Sequence, residues 1–202
     1  MTEDTVEPLD LIDAGQWERW LTAHGGESDG VWLKIAKKNS GRTSVTIAEA
    51  LDGALCHGWI DGQRRALDQD HYLQRYSPRR AGGSWSRVNV AKAEALIAAG
   101  RMGDGGWAAI RAAQEDGRWA AAYESQATAT VPDDLAEALE RDPAARERFA
   151  VLDRTRRYGL LLRLMKARTP RARSGQLARI VAELAAADAG SGAGRGRALP
   201  PA

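Results

Sequence analysis

Two segments with alternating side chains flank a short acidic turn in residues 59–78, and this pattern constrains the fold most. The first arm spans residues 59–67, the return arm spans 71–76, and Asp68-Gln69-Asp70 joins them. Strands joined by so short a turn pair antiparallel, so the pattern predicts a β-hairpin. Pro78 is expected to end the second strand, because proline cannot donate to a ladder.

Helix and strand signals surround the hairpin. Asp13 is a predicted N-cap, and Thr46 with Glu49 three residues later forms a capping box. Residues 31–36, which include Val31, Trp32 and Ile35, predict another strand. The glycines of residues 100–106 do not follow a strand as a dinucleotide-binding loop requires, so they are interpreted as turn residues.

Only helical signals follow Val131. Asp142-Pro143 and Thr169-Pro170 each place a capping side chain before a proline, which is typical of a helix start. Residues 188–202 are rich in Ala, Gly and Pro, and this composition predicts a disordered tail.

These elements predict an α+β protein: a small N-terminal mixed sheet with flanking helices, followed by a C-terminal helical bundle. The predicted domains are residues 1–125 and residues 130–187. At 202 residues and 44% apolar content, the chain is long enough to bury a core. The oligomeric state does not follow from this pattern.

Composition also excludes several classes of protein. The single cysteine, Cys56, excludes an intramolecular disulfide framework and a cysteine-rich zinc site. No apolar run is long enough for a transmembrane helix. The acidic start of the chain does not resemble a signal peptide, so a cytoplasmic location is expected.

The near-neutral net charge of +2 hides alternating blocks. Residues 1–60 and 102–152 each carry a net charge of −5, whereas residues 61–101 carry +4 and residues 153–202 carry +8. Of the 29 basic residues, 24 are arginines, which offer a planar fork of donors and stack on rings. The basic blocks either pack against acidic surfaces of the same molecule or face an anionic partner.

The first basic block contains a candidate anion-binding groove. A helix predicted to begin at Ser84 or Ser86 would present free N–H groups to an anion, and two arginines precede it. A tryptophan there could stack on a ligand ring or carry an arginine on its face. In the alternative, Arg79 and Arg80 pair with carboxylates such as Asp61, and Trp85 belongs to the core. The candidate ligand-binding residues are Asp61, Gln63, Arg79, Arg80, Trp85, Ser86 and Asn89.

The second basic block is a candidate surface for a nucleic acid or another anionic partner. Its bases have few neighbouring acids, and an anionic lipid or an acidic protein could also engage them. An internal partner is available in the acidic segment that holds Asp133, Asp134, Glu137 and Glu140. The candidate surface residues are Arg156, Arg157, Arg163, Lys166, Arg171 and Arg173.

No catalytic or metal site is predicted. Cys56 and His57 are adjacent on a predicted helix, where neighbouring side chains point about 100° apart and cannot act as a pair. The spacing of the three histidines matches no metal motif, so no metal or cofactor is expected. An enzyme with Asp61 as general base or Cys56 as nucleophile remains an alternative to a binding protein.

Residues 50–63, Ala-Leu-Asp-Gly-Ala-Leu-Cys-His-Gly-Trp-Ile-Asp-Gly-Gln, resemble a signature of the YdeI/OmpD-associated family. Residues 72–80 and 84–89 resemble its next block, and residues 158–184 are similar to its helical OmdA-type segment. The resemblance covers residues 14–187. His57 stands where the family has an aromatic residue, and Ala172 stands where it has threonine.

The resemblance implies a role in protection against bacteriocins or antimicrobial peptides and association with a porin, but it brings no reaction and no catalytic residue. We therefore expect a non-enzymatic cytoplasmic protein that binds an anionic ligand or partner through the Arg/Trp groove. The alternatives are nucleic-acid binding through the basic C-terminal helices and an enzyme that uses the same groove.

Overall fold

The computed structural model describes residues 7–186. The chain divides into two compact units, the first ending at Ala122 and the second beginning at Tyr123. The predicted disordered tail, residues 188–202, lies outside the described residues.

The first unit contains the sheet and four helices within the described residues. Its elements are α1 (Ala14–His24), β1 (Val31–Ala36), α2 (Ile47–Cys56), β2 (Trp59–Ala66), β3 (His71–Pro78), α3 (Arg87–Ala98) and α4 (Asp104–Glu115).

Within its described part, the second unit begins with a non-helical segment, residues 123–132, and continues as helices. Its elements are α5 (Asp133–Arg141), α6 (Pro143–Val151), α7 (Arg154–Met165) and α8 (Pro170–Ala186). Together the two units confirm the predicted α+β class with a helical C-terminal part.

The predicted hairpin is confirmed, and it forms the centre and one edge of the sheet. The three strands run antiparallel in the order β1-β3-β2. Leu9 adds a parallel bridge to Leu33 outside the named strands. The second strand ends at Pro78 as expected, with this proline at the last ladder position, opposite Trp59.

Aromatic side chains fill the space between the sheet and α1–α2. Trp17 is fully buried and contacts Trp59 edge-on and Tyr76 at a tilt, with ring centroids 6.3 and 5.6 Å apart. Its indole Nε1 donates to the Ala50 carbonyl at 2.9 Å, which satisfies the one polar atom of the ring. This cluster gives the first unit its own core.

Side chains predicted from sequence cap the helices. The Asp13 carboxylate accepts from the Gln16 backbone amide at 2.8 Å, and the Thr46–Glu49 capping box is formed on both sides. Asp142 caps α6 with Pro143 at its first turn. These caps satisfy helix N–H groups that would otherwise lack partners.

The C-terminus of α2 and the N-terminus of α4 touch backbone to backbone, and glycines permit this approach. The amide of Gly103 donates to the Cys56 carbonyl at 3.1 Å. A Cβ placed on Gly106 would lie only 2.6 Å from the Cys56 carbonyl oxygen and 2.7 Å from that of Leu55. The interpretation of these glycines as turn residues is therefore incomplete, because Gly105 and Gly106 belong to α4 and allow close packing.

We predict that Gly106→Ala lowers the free energy of unfolding of the first unit by about 1–3 kcal/mol, because backbone atoms must move to make room. Gly62→Ala is the matched control, since a Cβ there meets its nearest atoms at 3.7 and 3.8 Å. The control is expected to change stability by less than about 0.5 kcal/mol. Urea denaturation followed by tryptophan fluorescence measures both variants, and equal stabilities would contradict the packing argument.

Candidate anion-binding surfaces

A β-bulge in β2 decides which way its polar side chains point. Asp61 lies opposite Tyr76 and Arg64 opposite Gln74, so β2 has one more residue than β3 in this interval. The side chain of Gln74 is buried, and its amide nitrogen donates to the carbonyls of Gly62 at 3.0 Å and Gln63 at 3.3 Å. Its amide oxygen accepts from Arg64 Nε at 3.2 Å.

The bulge separates two residues that the sequence analysis grouped together. Asp61 shares the core-facing side of the sheet with Tyr76, and its charge together with burial raises the pKa of the Tyr76 phenol. Gln63 lies in the bulge, where its carbonyl accepts from Gln74. Both side chains are exposed, and a ligand-binding role for them stays a prediction.

Trp85 is part of the core rather than an exposed stacking platform. Only 2% of its surface is exposed, and Trp119 packs against it edge-on with centroids 4.8 Å apart. The Arg79 guanidinium carbon lies 3.5 Å from the Trp85 ring centroid, so the arginine covers one face of the ring. The structure therefore agrees with the alternative in which Trp85 belongs to the core, and Arg79 lies on its ring where a ligand was considered.

The residues after this tryptophan have structural roles at the start of α3. The Ser86 hydroxyl accepts from the Asn89 backbone amide at 3.2 Å and acts as N-cap. The preceding loop is held by Arg118, which is 7% exposed and donates to the Gly83 carbonyl at 2.8 Å. Arg118 also pairs with the Asp116 carboxylate at 2.6 Å. Of the predicted arginines here, Arg80 is exposed and has no ion pair within residues 7–186.

We predict that the two neighbouring arginines behave differently on truncation. Arg79→Ala removes a buried cation–π contact and is expected to cost about 2 kcal/mol of unfolding free energy. Arg80→Ala, the matched control, changes a solvated side chain and is expected to stay within about 0.5 kcal/mol of the parent protein. Urea denaturation of each single variant checks this, and equal effects would argue against the stacked role of Arg79.

Four of the six predicted surface residues in the second unit have partners among residues 7–186: Arg156, Arg157, Arg163 and Arg173. Arg173 forms a two-pronged contact with the Asp134 carboxylate, at 2.6 and 2.8 Å, and this contact lowers the pKa of Asp134. Arg157 Nη2 donates to the Ala150 carbonyl at 3.0 Å near the end of α6. These arginines hold α8 to α5 and the end of α6 to α7.

Three of the six predicted residues, Arg163, Lys166 and Arg171, converge on one concavity. We call this concavity the α7–α8 groove; its volume is about 910 Å³. Arg163 and Lys166 come from α7 and the turn that follows it, and Arg171 comes from the first turn of α8. Arg156 does not line this groove; it pairs with Asp153 at 3.4 Å and lines a different concavity together with Arg163.

Arg179 belongs to the second basic block but was not among the candidate surface residues, and it lines the same groove. No acidic residue lines it among residues 7–186, and the Arg163 guanidinium is matched by Glu183 at 2.7 Å. The periodicity of α8 could have revealed Arg179, because residues 171, 175 and 179 lie on one helix face.

A second basic concavity, also missed, lies in the first unit. We call it the loop groove; its volume is about 940 Å³, and the β1–α2 loop, residues 37–46, forms one wall. The basic residues and Tyr72 are visible in the sequence, but their convergence depends on the fold. The residues that line it and are used below are Lys37, Lys38, Arg42, Arg64 and Tyr72.

Cys56 is 4% exposed, and burial raises the pKa of its thiol, which holds it protonated. His57 caps α2, and burial lowers the pKa of its imidazole. This geometry gives no support to Cys56 as a nucleophile, because the thiolate is the reactive form.

We predict that Cys56 in the native protein reacts with a thiol reagent such as DTNB at least about tenfold more slowly than in the urea-unfolded chain. Absorbance of the released thionitrobenzoate measures both rates. A native rate equal to or above the unfolded rate would show an accessible, activated thiol and would revive the nucleophile hypothesis.

Within residues 7–186, no helix is long and apolar enough to span a membrane. In the same part of the chain, His, Cys, Asp and Glu side chains form no group of three or more that could hold a metal ion.

Two family models match different parts of the chain. Residues 9–109, half of the chain, match a family model described as a domain of unknown function (DUF8412). Residues 128–187 match the model described as bacteriocin-protection, YdeI or OmpD-associated. The first match covers half of the chain, so the chain belongs to the DUF8412 family, and the second confirms the resemblance to the YdeI/OmpD-associated family over residues 128–187. No curated protein and no solved structure matches the chain.

Proposed function

We propose that the protein takes part in bacteriocin protection by binding an anionic partner, rather than by catalysis, and that the α7–α8 groove is the binding surface. The convergence of four basic side chains on one concavity supports this proposal. They are Arg163, Lys166, Arg171 and Arg179. The groove lies in the part of the chain that matches the bacteriocin-protection family. A cytoplasmic location stays a prediction from the sequence.

The charge around the groove favours a partner with repeated negative groups. Glu183 balances only one of the four cations, and Lys166 lies 5.1 Å above the Tyr123 ring, a contact that leaves its positive charge in place. Lys166, Arg171 and Arg179 are exposed, so an incoming phosphate can reach them without rearrangement of the core.

A nucleic-acid duplex, contacted through its phosphates, fits this surface better than a single strand whose unpaired bases need a stacking surface. Arginine and lysine neutralise phosphates, and each phosphate contact releases counterions. The residues that line the groove include no aromatic ring on which unpaired bases could stack. The proposed partner is therefore a duplex recognised through its phosphates, without reading of its sequence.

The Arg/Trp groove predicted from sequence is the weaker candidate. Trp85 is covered by Arg79, and Ser86 is occupied as a helix cap. Arg80 is the exposed arginine of that set.

We predict that the full chain binds a short fluorescein-labelled DNA duplex of arbitrary sequence, with an affinity that falls steeply between about 50 and 200 mM salt. In Lys166→Ala/Arg171→Ala, the slope of log K against log salt is expected to shrink by about 2, because two phosphate contacts are lost. Fluorescence anisotropy measures both quantities.

The matched control is Arg141→Ala/Arg146→Ala, which removes the same charge from α5 and α6. These arginines pair with Glu137 and Glu140 and do not line the groove. The control is expected to keep the parent slope to within about one ion. An equal decrease of the salt slope in both double variants would show that binding depends on net charge alone. Salt-independent binding, or no binding at low salt, would refute the proposal.

A survival assay connects binding to the family role. Bacteria that are sensitive to a bacteriocin and express the parent chain should survive better than those that express Lys166→Ala/Arg171→Ala. Equal survival, with both proteins folded and equally abundant, would show that the α7–α8 groove does not contribute to protection.

A further inference from the structure

We propose that the loop groove of the first unit binds a nucleoside phosphate, with the phosphates held by the β1–α2 loop and the base stacked on Arg64. This site lies in a different unit from the α7–α8 groove. None of its residues belongs to the candidate ligand-binding residues that the sequence predicted. Its residues are Lys37, Lys38, Arg42, Arg64 and Tyr72. Ile35 and Ile47 add an apolar part to the groove lining.

The size of the groove suits a small molecule. Its volume of about 940 Å³ lies at the upper end of the range that small-molecule sites occupy, about 300–1,000 Å³. The lining combines apolar side chains of β1 and α2 with polar groups of the loop, including Asn39 and Thr43. Such a mixture holds an apolar ring and fixes the direction of a polar group.

The charge of the groove selects an anion. No Asp or Glu lines it among residues 7–186. The neighbouring carboxylates are already engaged: Asp70 accepts from Arg42 Nε at 3.0 Å, and Glu49 caps α2 through Thr46. Lys38 makes no hydrogen bond or ion pair within the described residues and is exposed. Its ammonium is available as a point charge for a phosphate.

The loop that carries these cations is held in place from both sides. Its start is tied to the hairpin turn, because the Lys37 amide donates to the Asp70 carbonyl at 2.7 Å. Its end is tied to β1, because the Ala36 amide donates to Ser44 Oγ at 2.8 Å. Between these ties, Asn39 adopts a left-handed backbone with φ of 71°, and this conformation curves the loop. A curved loop with fixed ends loses little entropy when an anion binds.

Arg64 supplies the stacking surface for the base. Its guanidinium lies 4.3 Å from the Tyr72 ring centroid, and its Nε donates to Gln74. These two contacts fix the guanidinium plane while the side chain remains exposed. A planar base can stack on the outer face of a guanidinium that is itself stacked on a ring.

Isothermal titration calorimetry of the full chain with ATP tests the proposal. We expect saturable binding at low ionic strength, and a dissociation constant at least about tenfold higher in Lys38→Ala/Arg42→Ala. The matched control, Arg19→Ala/Arg111→Ala, removes two exposed arginines of α1 and α4 that do not line the groove, and it should bind as the parent does. Thermal unfolding confirms that each variant is folded.

A second variant separates the base from the phosphates. Arg64→Lys keeps the charge but loses the planar fork, so it should weaken ATP several-fold and leave pyrophosphate unchanged. Absence of ATP binding at low salt overturns the proposal, and so does equal weakening by the control. Equal affinities for ATP and pyrophosphate in the parent protein overturn the assignment of a nucleoside.

Discussion

A buried amide at the centre of the sheet determines how the first unit presents its charged side chains. The amide nitrogen of Gln74 donates to two carbonyls of the bulge in β2, and its amide oxygen accepts from Arg64. A buried amide is stable only when its polar atoms find partners, and the bulge supplies them. Because one extra residue reverses the alternation of a strand, this network sets which face Arg64 and Arg65 occupy.

The excess of arginine over lysine is explained in part by the use of guanidiniums as packing groups. Arg65 lies 4.7 Å from the Trp32 ring centroid on the face of the sheet opposite Arg64 and Tyr72. A lysine cannot cover a ring in this way and also donate in a fixed plane. The arginines that lie over rings are Arg64, Arg65, Arg75, Arg79 and Arg157. A basic stretch of sequence is therefore a poor guide to which cations face solvent.

Local signals predicted the elements well, because caps, turns and alternation act over a few residues. The hairpin, the capping box at Thr46 and the start of α6 at Asp142-Pro143 are all confirmed. The bulge was not predictable, since it depends on a partner ten residues away in β3. The sequence left open whether Trp85 is exposed or belongs to the core, because its neighbour Trp119 comes from a segment later in the chain.

The candidate sites also differ in whether their residues are close together or far apart along the chain. Three cations of the α7–α8 groove could be named from the sequence because they lie on consecutive helices. The loop groove could not, because it joins β1, the β1–α2 loop and the hairpin, which are separated along the chain. Arg173 pairs with Asp134, 39 residues away, which agrees with the alternative that this acidic segment is an internal partner of the second basic block. Charge patterns thus predict a basic region, and tertiary pairing decides which of its members remain available.

The central claim is that the α7–α8 groove, rather than the loop around Arg79 and Trp85, receives the anionic partner. Amide chemical-shift perturbation of the nitrogen-15-labelled full chain, titrated with a short DNA duplex at low salt, tests this most directly. The account predicts that the largest shifts lie in residues 163–179. Largest shifts in residues 79–89, or shifts spread evenly over every exposed basic residue, would contradict it.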